Sequence, residues 1–346
     1  MITKNVSLVG ENREMTLIDK GIIIEADGVI VNRFTISSKY GVWVKSSKCL
    51  ITNNSLVACH LEGIFLDGRN EGVSENVVTN NYILNNSDCG VLVWGGSHNY
   101  IGFNTVTNNY VGVYLYNTSM NLIKRNDIIS NLDTGVVIDW FSFYNLVIKN
   151  NISDNGWRGW PQLGMCGIDF LHSDFNQIIS NDILNNKYAI ELIDADKNFI
   201  YHNNFINNTN QLSSDLRLRP PYTNVWDGGY PSGGNYWSDY NNNDTYSGPY
   251  QNETGSDGIG DTQYNIDANN RDRYPLIQPY IWLIGDLNDD DTVDMKDLRI
   301  VAKAFASFPS DPRWNPEADI NKDGKVDMVD IRLTAKRFGH HLTRKS

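Results

Sequence analysis

A glycine followed by alternating apolar residues recurs along the first 200 positions and limits what this chain can fold into. It reads Gly41-Val42-Trp43-Val44, Gly63-Ile64-Phe65-Leu66, Gly90-Val91-Leu92-Val93 and Gly112-Val113-Tyr114-Leu115. It continues as Gly135-Val136-Val137-Ile138 and Gly167-Ile168-Asp169-Phe170, with Ala189-Ile190-Glu191-Leu192 in the same frame. The steps are 22, 27, 22, 23, 32 and 22 residues. A second phrase, Asn-x-apolar-x-x-Asn, follows: Asn76 to Asn81, Asn99 to Asn104, Asn121 to Asn126, Asn145 to Asn150, Asn176 to Asn181 and Asn198 to Asn203. Cys49 to Asn54 repeats it with Cys in the first slot.

A unit this short, with period-2 apolar alternation, holds two or three short strands and corners, and no helix of useful length. One unit cannot bury its apolar face alone. Stacked about 4.8 Å apart, the units close a coil of parallel sheets around a narrow core. Gly and Asn are expected at the corners because they tolerate left-handed backbone angles. Equivalent Asn side chains one coil apart are expected to form amide ladders. A leucine-rich repeat has a similar period, but its Leu-x-x-Leu-x-Leu phrase is absent. The reading is a mostly β chain, a right-handed parallel β-helix of roughly nine coils over residues 1–210.

With these Asn-rich coils the chain resembles the NosD-type β-helix proteins, grouped with carbohydrate-binding and sugar-hydrolase β-helices. Residues 211–280 hold Asn224-Val225-Trp226-Asp227-Gly228-Gly229-Tyr230, Gly233-Gly234-Asn235-Tyr236-Trp237-Ser238-Asp239-Tyr240, Gly255-Ser256-Asp257-Gly258-Ile259-Gly260-Asp261 and Tyr274-Pro275-Leu276. They are similar to the loop-rich segment that closes such helices. An open solenoid end exposes unpaired edges and core, so a cap is physically required.

The last segment, 281–346, changes character. Asp286, Asn288, Asp290, Thr292, Asp294 and Asp297 stand at positions 1, 3, 5, 7, 9 and 12 of a calcium loop. Asp319, Asn321, Asp323, Lys325, Asp327 and Asp330 repeat it 33 residues later. Calcium is a hard cation that takes six to eight oxygens, and this spacing wraps them around one ion. Position 7 contributes its carbonyl, which explains Thr292 and Lys325 there. Position 6 is Gly324 in the second loop but Asp291 in the first. A left-handed Asp there costs about 1 kcal/mol, so the first site is expected to be the weaker. Each loop runs into a matched helix, Met295 to Ile300 against Met328 to Leu333. Two such loop-helix units with Asp at position 12 resemble a type I dockerin. The resemblance implies two calcium ions and an extracellular, cohesin-like partner. Positions 10 and 11, which help select the partner in that family, are Met295-Lys296 and Met328-Val329. The contact open to them is either the partner or the chain's own β-helix cap.

Alternation sends the second and fourth residues after each Gly outward. That outward face begins with Trp43, Phe65, Trp94, Tyr114 and Tyr116 and ends with Asp139, Asp169 and Glu191. Aromatic faces stack on sugar rings, so the first group is the expected carbohydrate platform, with Trp157 and Trp160 walling it from the long 32-residue step. Asp169 and Glu191 share a slot on adjacent coils, about 5 Å apart, and Asp139 sits one coil back. Carboxylates this close drive one pKa up and suit acid–base work. Retaining glycosidases use pairs about 5 Å apart and inverting ones about 6.5–9.5 Å. His172 completes the candidate catalytic set; its stretch is faintly similar to the Gly-x-Asp-Pro-His phrase of mannuronan epimerases. The alternative is acids that are merely solvated. Copper, suggested by the NosD name, finds only scattered His60, His98, His172 and His202 and no soft-ligand cluster. Cys89 and Cys166 share the slot before Gly, three coils apart, and read as packed thiols.

The formal net charge is −12, which argues against nucleic acid and anionic membrane surfaces. No apolar run is long enough to span a bilayer. No basic n-region with an apolar stretch opens the chain. It starts partway into a repeat, so an upstream segment is expected to be missing. The calcium loops need roughly tens to thousands of micromolar calcium, which places the protein outside the cell. The expectation is a monomer that binds, with or without cleaving, polysaccharide and is tethered by its dockerin. The alternatives are a non-catalytic adhesive spacer and a copper-related accessory protein.

Overall fold

The computed structural model describes residues 1–157, 165–213, 222–290, 292–309, 311 and 313–341. It divides into two compact units, 1–280 and 281–346.

The first unit is a parallel β-solenoid of about nine turns, as the repeat predicts. Among the described residues, three sheets of nine, nine and ten strands run its length. The first sheet collects the glycine phrases, from Ile22–Ile24 to Asn210–Ser213. The second runs from Ser7–Val9 to Phe199–Tyr201. The third runs from Leu17–Ile18 to Asn204–Ile206 and gains Tyr236–Trp237. Register is uniform: Val91 pairs with Ile64 and Val113, and Ile101 with Val78 and Ile123. Inward residues therefore stack in columns of like shape. Val113, Ile123 and Ile128, one from each sheet of adjoining coils, are all fully buried. Stacking like on like lets each coil bury what it could not bury alone.

Three asparagine ladders hold the corners. One climbs Asn76, Asn99, Asn121, Asn145, Asn176, Asn198 and Asn224. A second climbs from Asn54 through Asn126 to Asn235, and a third from Asn86 to Asn208. In the repeating pattern an Asn uses its Oδ1 to accept both the backbone N–H and the Nδ2 of the Asn one coil below, as Asn150 does from Asn126, and gives its own Nδ2 to a carbonyl of the coil below, as Asn126 does to Ile101. The ladders thus satisfy corner backbone N–H and C=O groups that would otherwise be buried without partners.

The corners correct one expectation. The ladder asparagines are not the left-handed residues; along the solenoid the residue before them is, whatever its type: Asn53, Asn80, Phe103, Arg125, Lys149, Ser180 and His202 in the second ladder. The ladder bonds fix the backbone, so the preceding side chain needs only to point into solvent or onto a neighbour. Nor do the repeat glycines adopt left-handed angles. A Cβ at Gly41 would stand 2.0 Å from the Gly63 carbonyl oxygen, and one at Gly112 2.4 Å from that of Gly135. Glycine is there for close approach between coils, not for a turn.

The far end is plugged by aromatics. Trp237 lies parallel to Phe205 at 4.2 Å and to Tyr264 at 4.3 Å, and Trp226 packs 6.0 Å from it. The second ladder ends on Asp272, which accepts from Asn235 N (2.7 Å) and Trp237 Nε1 (2.9 Å). A carboxylate is a fitting terminus, since it accepts and need not donate onward. Arg273 closes the plug with two bonds to Asp227 at 2.9 and 2.7 Å.

The second unit contains two short helices, α1 (Met295–Lys303) and α2 (Met328–Ala335). Each starts at a capping box, Asp294 with Asp297 and Asp327 with Asp330. Leu287, Val301, Ala304, Ala318 and Val326 form its core.

Candidate functional site

The outer side of the first sheet is not the open surface that simple alternation predicts. The alternation breaks at several of the repeat glycines, and the residue in the slot before Gly lies on the outer side as well. Cys89 and Val111 thereby join Phe65, Leu92 and Val137 in a second apolar cluster outside the coil, edged by Trp43, Trp94, Tyr110, Tyr114 and Leu171. Phe65 is buried beneath Trp43, which stacks on it at 5.7 Å, and beneath the Arg69 guanidinium at 5.2 Å. Its ring is therefore closed off as a platform. Arg69 is held by two 2.7 Å bonds to Asp67, and Trp43 Nε1 donates to the same carboxylate at 2.9 Å.

The open aromatic surface lies at the edge of that cluster. Trp94 meets Tyr116 at 4.9 Å; Tyr116 lies parallel to Trp140 at 6.4 Å; Trp140 meets Phe141 at 5.5 Å and His172 at 6.0 Å. Trp94, Tyr116, Trp140 and His172 belong to four successive coils, so the row spans about 14 Å at the coil spacing. Trp140 and Phe141 are about half exposed, and both sit in the left-handed region (φ 52° and 60°). That conformation is unfavourable for bulky residues, and here it turns two consecutive rings outward. The glycine phrase alone gives no sign of them; the signal was the aromatic run Trp140-Phe141-Ser142-Phe143-Tyr144 just past the strand Thr134–Asp139. Trp157 is exposed and donates to the Asn185 carbonyl at the corner before the first sheet. Trp160 lies outside the described residues, as does Asp291.

The acids do come together, but they are buried rather than solvated. Asp169 and Glu191 pair in register on adjacent strands, and both are buried. Cys166 Sγ, an Asp169 oxygen and a Glu191 oxygen all lie within 4.8 Å of one another. Asp169 Oδ1 has no hydrogen-bond partner. Burial first, then Glu191, Asp139 and Asp133, push the Asp169 carboxyl well above the usual carboxylate range. Asp133, a residue the repeat did not point to, is buried beside them and pushed up to about 6, chiefly by desolvation. Asp139 instead accepts from Tyr114 Oη at 2.7 Å. His172 is drawn away to the exposed corner, where Nδ1 faces Asp194 at 3.1 Å.

In the second unit the two loops match bond for bond. Asp297 Oδ1 accepts from Leu287 N at 2.7 Å and Oδ2 from Asp294 N at 2.8 Å. Asp330 does the same for Ile320 N and Asp327 N, both at 2.8 Å. Asp290 N donates to Asp286 at 3.1 Å and Asp323 N to Asp319 at 3.2 Å. Asp286, Asp297, Asp319 and Asp330 are wholly buried. An all-oxygen set rich in buried carboxylates fits a hard cation such as calcium. Position 4 carries the left-handed angle, Asp289 (φ 58°) and Lys322 (φ 61°), with Gly324 at φ 84°. Met295, Met328 and Val329 are exposed at the helix starts, while the Lys296 ammonium reaches Asp290 at 2.6 Å.

A parallel β-solenoid knit by asparagine ladders, followed by a duplicated calcium-loop unit, defines the class of this protein. The family described as periplasmic copper-binding protein (NosD) matches residues 3–158 and 140–242, more than half of the chain, and the chain belongs to that family. The dockerin type I domain matches residues 284–338. Dockerins of this type bind calcium and a cohesin partner. No curated protein matches the chain. Among solved structures, the enzymatically active domain of bacteriophage CBA120 tailspike protein 2 is 12% identical, with a TM-score of 0.43. That match covers 62% of this chain and 35% of the other. The Dettilon tailspike protein is 14% identical, with a TM-score of 0.42, over 67% of this chain and 58% of its own.

The family description raises copper, and the described residues do not fit it. Among the described residues, Cys166, Asp169 and Glu191 are the one group of three or more His, Cys, Asp or Glu donors within 4.8 Å of one another, and it holds no imidazole. Thiolates, thioethers and imidazoles are the donors that select copper, and this group offers a single thiol beside two hard carboxylates. His172 pairs with Asp194 and His202 with the Ser232 carbonyl, and the Met165 thioether faces the Lys187 ammonium at 3.3 Å.

Proposed function

We propose that this is an extracytoplasmic polysaccharide-binding β-helix, tethered to a cohesin-bearing partner through a dockerin that holds two calcium ions. The observation that carries the glycan reading is the exposed ring row Trp94–Tyr116–Trp140–Phe141 across successive coils. Flat apolar faces beside polar groups suit sugar rings, which present apolar C–H faces and a hydroxyl rim. Tyr114, Asp139, His172 and Asp194 supply hydrogen-bonding groups along that row. Of the remaining platform candidates, Trp43 covers Phe65 and Trp157 stands at a separate corner beside Asn185. Two matched loops support two ions, and the paired apolar positions Met295 and Met328–Val329 with Lys296 support a cohesin-facing surface. A glycan array followed by calorimetry tests the reading: Trp140→Ala should weaken the best ligand at least tenfold. Unchanged affinity in that variant would refute the ring row as the binding face, and no ligand at all would leave the spacer role.

Hydrolysis is a second reading, favoured by the carboxylate oxygens of Asp169 and Glu191 within 4.8 Å, the separation of a retaining pair. In it, Asp169 is the protonated acid and Glu191 the nucleophile, with Asp139 and His172 at the edge of the site. Turnover of a bound glycan that is abolished by both Asp169→Asn and Glu191→Gln supports it. Binding without turnover refutes it.

A further inference from the structure

The buried group at the end of the first sheet presents a chemical problem. Asp133, Asp169 and Glu191 are at most 8% exposed, and the Cys166 thiol is fully buried among them. Burying charges without compensation is costly. Yet Asp169 Oδ1 and Asp133 Oδ1 both lack a hydrogen-bond partner. Thr134 Oγ1 links the group, 3.4 Å from Asp133 Oδ2 and 3.8 Å from Cys166 Sγ. A thiol and two carboxylates already converge within 4.8 Å, and two orphaned oxygens flank or belong to that trio.

We propose that Cys166, Asp169 and Glu191, with Asp133 beside them, bind one divalent cation of the zinc class. Zinc takes thiolate at about 2.3 Å and carboxylate at about 2.0–2.2 Å, in sets of four. Those bond lengths place the donors within roughly 4 Å of one another, so closing on the ion needs shifts of an ångström or less. Calcium and magnesium prefer oxygen alone and leave a thiol unused. Copper would find one soft donor here, the Cys166 thiolate, but no second thiol, thioether or imidazole, and two hard carboxylates beside it suit zinc better. The site arises because the alternation breaks at Gly167, so that Cys166 and Asp169 share one side of the strand; in-register pairing then adds Glu191 from the next coil. It is independent of the glycan reading, because none of the exposed rings belongs to it. An ion there would also occupy both carboxylates that the hydrolytic reading needs free.

The test uses the full chain in excess calcium, so that the two loops are filled, with cadmium as probe. A thiolate–cadmium charge-transfer band in the ultraviolet reports only a sulfur-bound ion. It should saturate at one cadmium per chain and be displaced by zinc but not by more calcium. Cys166→Ser should abolish it. Cys89→Ser, which removes the buried thiol of the same slot three coils away, should leave it intact. Asp169→Asn should weaken cadmium at least tenfold, and this arm decides the matter if Cys166→Ser fails to fold by circular dichroism. No band in the wild type, a band that survives Cys166→Ser, or full affinity in Asp169→Asn overturns the proposal.

Discussion

Replacing Asn126 with alanine should cost this protein about 3–5 kcal/mol of stability, far more than its small side chain would suggest. The amide is 1% exposed. Its Oδ1 accepts from Asn104 N at 2.9 Å and Asn104 Nδ2 at 3.0 Å. Its Nδ2 donates to the carbonyls of Ile101 and Lys124 and to Asn150 Oδ1, at 2.9, 3.3 and 3.0 Å. Alanine orphans the buried Asn104 N–H, worth about 1–3 kcal/mol, and removes several bonds of about 1 kcal/mol net each. Asn126→Asp is the sharper probe. The carboxylate still accepts from Asn104, but it sets an anion against three acceptors. Its folded pKa must rise, so the loss is largest at neutral pH and shrinks on acidification, because the native state then binds the extra proton. Urea unfolding of the full chain in saturating calcium, followed by the β signal in circular dichroism, measures both. An alanine cost under about 1 kcal/mol, or an aspartate tolerated at pH 7, would mean that the ladders are incidental to the fold.

Chelation with EDTA should unfold residues 281–346 while leaving the solenoid's β signal intact; helical signal and proteolysis after residue 280 report it, and an unchanged digest would contradict the calcium assignment. Asp272, pushed up to about 7 by burial despite three donors, should make the cap less stable as pH rises from about 4 to 7, since the native state binds more protons than the unfolded one there. That slope should vanish in Asp272→Asn, and thermal melts at several pH values check it. Gly112→Ala should destabilise the solenoid by several kcal/mol, because its Cβ would lie 2.4 Å from the Gly135 carbonyl oxygen and 2.6 Å from Ile128 Cγ2. A melt within a degree of wild type would show that the coils can part to admit it.

Much of the molecule follows from local periodicity. A phrase every 22 residues or so with period-2 alternation permits parallel coils and little else, so the sheets and inward columns were legible from Val42, Ile64 and Val91 onward. The calcium loops were legible because one ion's ligands are contiguous in sequence. The existence of the ladders followed from the spacing of Asn54, Asn81 and Asn104. What the spacing could not give was the division of labour at the corners, where the ladder bonds hold the backbone and release the preceding residue, Phe103 or Lys149, to be almost anything. The face of the first sheet was legible in register but not in environment. Alternation placed Asp169 beside Glu191, yet their burial, the place of Cys166 on the outer side, the approach of Asp133 and the covering of Phe65 by Arg69 each depend on side chains 3 to 58 positions apart in the chain. Exposure is a property of what lies above a surface. No repeat encodes it, so only the tertiary structure could separate the rings that face solvent from the acids that do not.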